Sequence, residues 1–261
     1  MGPPPGGKTA ILQALRQQLR QYDRFHTGRG EDWQPERAAL PFGVTALDEV
    51  WPDGGLPLGT LHEAAGDTNS PGAFAVASAF LAAIAGRLNK TILWCTRGTY
   101  LYAPGLVHIG LDPAKLLIAR PRKDTEALAA MEEGLRYGAL GAVIGEIERL
   151  DLTASRRLAL ACEKSGVTAL VLRKPAARTG AIGHDAIAAA SRWRVRPVPS
   201  SPHIIPQEGR ARWQVELLRS RYGTTGRWIV EAPDAQGYLR LPAVLADRSQ
   251  TQAHEAERLA G

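Results

Sequence analysis

GGLPLGTLHEAAGDTNSPGAFAVASAFLAAIAG, residues 54–86, reads as a turn, a strand, a glycine-bearing loop and a helix. Leu56-Pro57-Leu58-Gly59 punctuates, Thr60 to Ala64 forms the strand, and Gly66 to Gly72 forms the loop. Ala73 to Ala85 is an Ala-rich helix whose apolar face includes Phe74, Ala77, Leu81 and Ile84. Strand, glycine loop and helix is the layout that cradles phosphate, because backbone N–H groups and the helix N-terminus point at the anion. The reactive side chains of that layout are missing. The motif G-x-x-x-x-G-K-S/T follows its second glycine with a lysine for the terminal phosphates and a hydroxyl for magnesium. Here Gly72 is followed by Ala73 and Phe74, and no Lys stands between His62 and Arg87. Pro71 removes an N–H donor, and Asp67 sets a negative charge where phosphate would sit. Gly66, Ser70 and Gly72 therefore read as the remnant of a phosphate loop, and no cofactor is expected.

Strands and helices alternate on either side of this stretch. Strands are expected at Thr60–Ala64, Thr91–Cys95, Leu116–Ala119, Ala142–Ile144 and Thr168–Leu172. Helices are expected at 73–86, near Leu101–Gly105, at Asp124–Tyr137 and at Ala154–Ser165, with Asp124 as an N-cap and Gly138 and Gly166 as stops. Such alternation predicts an α/β fold: a mainly parallel sheet with helices on both faces. From Ser191 the period falls to two. Trp193, Val195 and Val198 alternate with Arg192, Arg194 and Arg196, and Trp213, Val215 and Leu217 alternate with Gln214, Glu216 and Leu218. This predicts an extension of strands with one buried face. Trp193, Trp213 and Trp228 fall on the apolar face, which favours core positions over base-stacking platforms.

Ligands of such sheets bind at the carboxyl ends of the strands. Glu146 and Glu148 are the carboxylates gathered there. They read as caps or as an ion pair with a neighbour such as Arg149, against the alternative of a metal or acid–base pair. The histidines show no ligand spacing, the serines no G-x-S-x-G setting, and Cys95 and Cys162 read as buried reduced thiols. No catalytic residue and no metal site are expected.

The N-terminus holds a decoy: Gly2 to Thr9 fits G-x-x-x-x-G-K-S/T letter for letter. No strand precedes it, and Pro3, Pro4 and Pro5 remove the N–H groups that would wrap phosphate. Residues 8–22 follow as an amphipathic helix with Leu12, Leu15 and Leu19 on one face. These leucines are candidates for docking a partner or a second copy, and folding back onto the chain's own core is the alternative. Residues 1–39 thus form a helix and linker, 40–245 the α/β core, and 246–261 a polar tail. The formal charge is +6, yet the segment from Arg173 to Arg227 holds eleven Arg or Lys against three acids. This asymmetry points to an acidic partner, nucleic acid or protein. Arg173, Lys174 and Arg178, in a basic and glycine-bearing stretch, are the candidate phosphate contacts. No apolar run approaches the roughly 20 residues that span a bilayer, and the first residues hold no apolar signal core. A cytoplasmic protein without membrane contact is the expectation.

Read with its flanks, the opening stretch resembles the RecA family. Phe42-Gly43-Val44-Thr45-Ala46-Leu47-Asp48 and Gly54-Gly55-Leu56-Pro57-Leu58-Gly59 form the lead-in that precedes the phosphate-loop strand there. Tyr102-Ala103-Pro104-Gly105-Leu106, Gly110-Leu111-Asp112 and Leu116-Leu117-Ile118-Ala119-Arg120-Pro121 continue the match in order. The departures are several. Thr96-Arg97 stands where that family carries a catalytic carboxylate, Gly145-Glu146 where its Walker B strand ends in Asp, and Arg173-Lys174 where it has a nucleotide-sensing glutamine. One of its two DNA-contacting loops looks deleted between Glu148 and Val167. This pattern is similar to the ImuA family, RecA-like accessory proteins of mutagenic translesion synthesis. The resemblance implies a noncatalytic factor of the SOS response to DNA damage that binds an ImuB-like Y-family polymerase homologue. It extends to association with an error-prone replicative-type polymerase and RecA, and to DNA through the basic flank. A SulA-like inhibitor of cell division and a residual RecA-type ATPase are the alternatives.

Overall fold

The computed structural model describes residues 12–15, 18, 38–98, 101–174, 186–199 and 210–242. The described elements run, in chain order, β1 (Ala39–Leu40), α1 (Thr45–Asp48), β2 (Leu56–Pro57), β3 (Leu61–Gly66), α2 (Ala73–Gly86), β4 (Ile92–Cys95) and α3 (Ala103–Val107). After a 3-10 turn at Pro113–Lys115 come β5 (Leu116–Ala119), α4 (Asp124–Leu135), β6 (Ala142–Ile147), α5 (Leu152–Ser165) and β7 (Thr168–Arg173). β8 (Ser191–Val198), β9 (Arg212–Ser220) and β10 (Gly226–Glu231) complete the described chain. The main sheet has eight strands in the order β10-β9-β8-β3-β7-β6-β4-β5. β8, β3, β7, β6, β4 and β5 pair in parallel, whereas β9 and β10 pair antiparallel. The expected α/β class, with helices on both faces and an antiparallel extension toward the C-terminal end, is the observed one.

Alternation within the central strands assigns their side chains to two layers. Ala64, Ile92, Trp94, Ala142, Ile144, Leu170 and Leu172 join one core, built with Ala77, Phe80, Leu81 and Ile84 of α2. Leu61, Leu93, Cys95, Val143, Ala169 and Val171 join the other, built with Ala127, Ala130 and Met131 of α4 and Leu158 and Cys162 of α5. Parallel strands covered on both faces read as near-continuous apolar runs, as these do. Gly145 lets α4 approach closely, since a Cβ there would lie 2.1 Å from Met131 Sδ.

Trp193 and Trp213 are buried and Trp228 half-buried, all against the α2 side. Trp193 sits among Phe42, Phe80 and Trp51 with ring centroids 5.5 to 6.2 Å apart. These rings face the core, where aromatic pairs add to the burial of their area. Cys95 and Cys162 are free and buried.

Several boundaries differ from expectation. β6 runs to Ile147 rather than Ile144, and β7 to Arg173 rather than Leu172, because their terminal charges find partners inside the fold. The N-cap position of α4 is Lys123 rather than Asp124, and no side chain caps the helix there. The Asp124 carboxylate reaches across to the amides of Glu148 and Arg149 at 3.1 and 2.8 Å. α4 ends at Leu135, short of Gly138. α5 begins two residues early, with the Asp151 side chain accepting from the Ala154 amide, and stops at Gly166, whose φ is 76°. The decoy Gly2–Thr9, Arg178, Leu19 and the tail 246–261 lie outside the described residues.

Candidate functional site

The carboxyl ends of β3, β4, β6 and β7 converge beside the first turn of α2. The loop from Gly66 returns to Gly72, which takes φ 74° at the α2 N-cap, a conformation that glycine adopts without strain. Gly66 and Ser70 are half-buried and Gly72 exposed. A Cβ on Gly66 would lie 2.5 Å from the Ala73 carbonyl carbon, so the loop is drawn tightly onto the start of the helix. Two positions after Gly72, where the motif carries its hydroxyl, stands the Phe74 ring.

Glu146 projects from β6 on this side of the sheet with a fully buried side chain. Its Oε1 accepts from Trp94 Nε1 at 3.1 Å, and its Oε2 meets Lys174 Nζ at 2.9 Å. Lys174 arrives from the residue just beyond β7, and its Nζ lies 5.8 Å from the centroid of the Phe74 ring. Lys174 thus sits over the start of α2, near the position where the motif G-x-x-x-x-G-K-S/T carries its own lysine. Burying a carboxylate without a cation is costly, and Lys174 and the indole N–H together occupy both of its oxygens. Cys95, one residue behind Trp94, has its thiol pushed up to about 12 by burial, with the Glu146 charge adding to the effect.

Beside this cluster Arg97, just after β4, contacts Glu148 at 2.6 Å and Asp124 at 3.2 Å. The partner of Glu148 is therefore Arg97 rather than Arg149. On the other face of the sheet Glu63 of β3 is held between Arg192 Nε at 2.5 Å and Arg173 Nε at 3.4 Å. The pattern repeats in the extension, where Glu216 lies between Arg194 at 3.3 Å and Arg227 at 2.8 Å. Arg173 and Lys174, read from sequence as phosphate contacts, are thus engaged with internal carboxylates, their side chains 12% and 18% exposed.

Among the described residues, no group of three or more His, Cys, Asp or Glu could hold a metal ion. The side chains present do not fit a nucleotide–magnesium pair. Phe74 stands at the metal-binding hydroxyl, and Glu146 is engaged by Lys174 and Trp94. Leu15 is 3% exposed and belongs to the core layer under α4 and α5, while Leu12 is half-buried. Sequence reasoning did not single out Glu63 or Trp94, and it did not foresee the contacts of Arg97, Phe74 and Arg192. One signal was present: Glu63 interrupts an apolar strand, and a buried acid there requires a cation.

Sheet order, strand directions and the position of the glycine loop define a RecA-like fold. Among solved structures the chain is similar to the RadB recombinase, with a TM-score of 0.54 and 17% identity, covering 78% of this chain and 100% of that one. At the level of sequence it is 36% identical over 234 residues to Protein ImuA of Caulobacter vibrioides, strains NA1000 / CB15N and ATCC 19089 / CIP 103742 / CB 15, covering 84% of this chain and 95% of the relative. The chain belongs to the ImuA family. No family model matches it.

Proposed function

We propose that this chain is a noncatalytic accessory factor of DNA-damage-induced mutagenesis, working in translesion synthesis by binding rather than by turnover. The observation that carries this reading is the Lys174–Glu146–Trp94 cluster beside Phe74. Phosphoryl transfer needs a metal and a cation aimed at the charge that develops on the phosphate. Here the strand-end carboxylate and the nearby cation engage each other. Membership of the ImuA family supports the setting, and the partner on this reading is an ImuB-like Y-family polymerase homologue. An error-prone replicative-type polymerase and RecA belong to the same assembly.

DNA enters as a weak, sequence-independent ligand of the basic flank. Because Arg173 and Lys174 have internal partners and Arg227 is paired with Glu216, the phosphate contacts on this reading fall to Arg178 and the exposed Arg219 and Arg221. Affinity should then fall steeply with salt. Among the three N-terminal leucines, Leu12 and Leu19 are the ones whose substitution tests docking, since Leu15 supports the core.

The purified chain is expected to hydrolyse no ATP above background and to bind no fluorescent ATP analogue saturably in the presence of magnesium. It is expected to be retained by the immobilised polymerase homologue encoded in the same genome. Hydrolysis that disappears in a Gly72→Asp variant would overturn the noncatalytic reading. A folded chain that passes freely over the polymerase homologue would overturn the choice of partner.

A further inference from the structure

A second feature lies at the opposite end of the sheet. Helices α4 and α5 each run back from strand carboxyl ends to the amino ends of β6 and β7, and their last turns flank a cleft of about 540 Å3. Glu132, Arg136, Arg157, Leu160 and Lys164 line it. Glu132 is nearly buried and is taken up by Arg157 at 2.5 Å. Arg136 and Lys164 are exposed and have no acidic partner among the described residues. Leu160 lines the same cleft and is 55% exposed, on a helix whose other exposed residues nearby are Arg156, Arg157, Glu163 and Lys164.

Cations near helix C-termini interact favourably with the macrodipole, which accounts for Lys164 in the last turn of α5. It does not account for a bare leucine set among them beside a cleft. Glu132 is neutralised by Arg157, so the charge left at the cleft is that of Arg136 and Lys164, and an apolar contact beside two such cations is complementary to an apolar side chain flanked by acidic ones. The volume lies within the ordinary range for a binding cleft, roughly 300 to 1,000 Å3, and suits a few side chains rather than a whole helix.

We propose that the α4–α5 cleft docks an acidic segment of a second protein, whose aliphatic or aromatic side chain covers Leu160 while its carboxylates meet Arg136 and Lys164. This cleft lies at the end of the sheet opposite the Lys174–Glu146 cluster. The probe is a short fluorescein-labelled peptide with Asp and Glu on either side of a Leu-Phe pair, titrated into the full chain by anisotropy. Saturable binding is expected, weakened about tenfold or more by Arg136→Glu with Lys164→Glu. Leu160→Ser should weaken it as well, and thermal melts of these surface variants should match the parent chain. Absence of saturable binding overturns the proposal, as does binding that survives the charge reversal. Equal binding of a peptide with Ser in place of Leu-Phe reduces the effect to charge attraction and also overturns it. So does a chain that self-associates in sedimentation and becomes monomeric on Leu160→Asp, which would make a second copy the occupant. A single-stranded oligonucleotide that binds and is lost with the same charge reversal would overturn it in favour of nucleic acid.

Discussion

At the scale of single residues, the fold depends on buried charges and a buried imidazole that are satisfied locally. Lys174→Met takes the ammonium from Oε2 of the Glu146 carboxylate and leaves the Trp94 indole on Oε1, in a site the Glu146 side chain does not share with solvent. Breaking one side of a buried pair typically costs about 3–5 kcal/mol. Adding Glu146→Gln removes the buried negative charge and keeps an acceptor for the indole, so the double variant should regain most of that loss in urea unfolding. A double variant as unstable as the single one would show that the ammonium does more than neutralise Glu146. His62 gives a pH signature. Its Nε2 lies 2.7 Å from the Pro57 carbonyl, which can only accept, so Nε2 carries the proton and Nδ1 accepts from the Ser191 hydroxyl at 2.6 Å. Burial holds the imidazole down to about 4 from its usual 6.5, against the pull of the Pro57 acceptor. The folded state therefore resists a proton that the unfolded chain accepts. This contribution is constant above about pH 6.5, and stability falls as pH drops toward about 4, by up to about 3 kcal/mol. A His62→Gln variant should lose that part of the slope when unfolding free energy is measured across the window.

Single elements are held chiefly by their inner faces. The described part of the N-terminal helix contributes Leu15 to the layer formed by α4, α5 and the strands beneath them. Leu15→Ala should destabilise the chain by about 2–5 kcal/mol, the range for a buried leucine whose site closes only partly. Leu12→Ala, at a half-buried position, should cost much less. Denaturant midpoints that rank these two the other way would place the helix off the core. α5 shows the same logic from its exposed side. Leu158 and Cys162 face inward, whereas Leu160 does not, and hydrophobicity alone could not distinguish them. Sequence periodicity located most elements to within a few residues, and the two strand misses share a cause. Strands β6 and β7 run past the point where Glu146 and Arg173 were expected to end them, because partners on neighbouring strands and at their ends accept those charges.

Across the whole molecule, a basic chain distributes its charge unevenly between its interior and its surface. Of the arginines and lysines from Arg173 to Arg227, Arg173, Lys174 and Arg192 bind buried carboxylates, and Arg194 and Arg227 share Glu216. The net positive charge of that segment is real, but charge counting assigns it no surface. The sheet register does, because it fixes which arginine lies beside which glutamate.

Local information alone determined the alternation of strands and helices, the absence of lysine and hydroxyl after Gly72 in the glycine loop, and the inward tryptophans of the extension. Propensity, turn chemistry and hydrophobic period act over a few residues and are written in the order of the chain. Tertiary structure alone decided the order β10-β9-β8-β3-β7-β6-β4-β5, the joining of Glu146 to Lys174 across adjacent strands, and the clustering of Arg136, Leu160 and Lys164 around one cleft. These depend on contacts between residues far apart in sequence, whose closure a linear pattern does not encode. The same glutamate or arginine can be a solvated surface charge or half of a buried pair, and only its neighbours in space select between them.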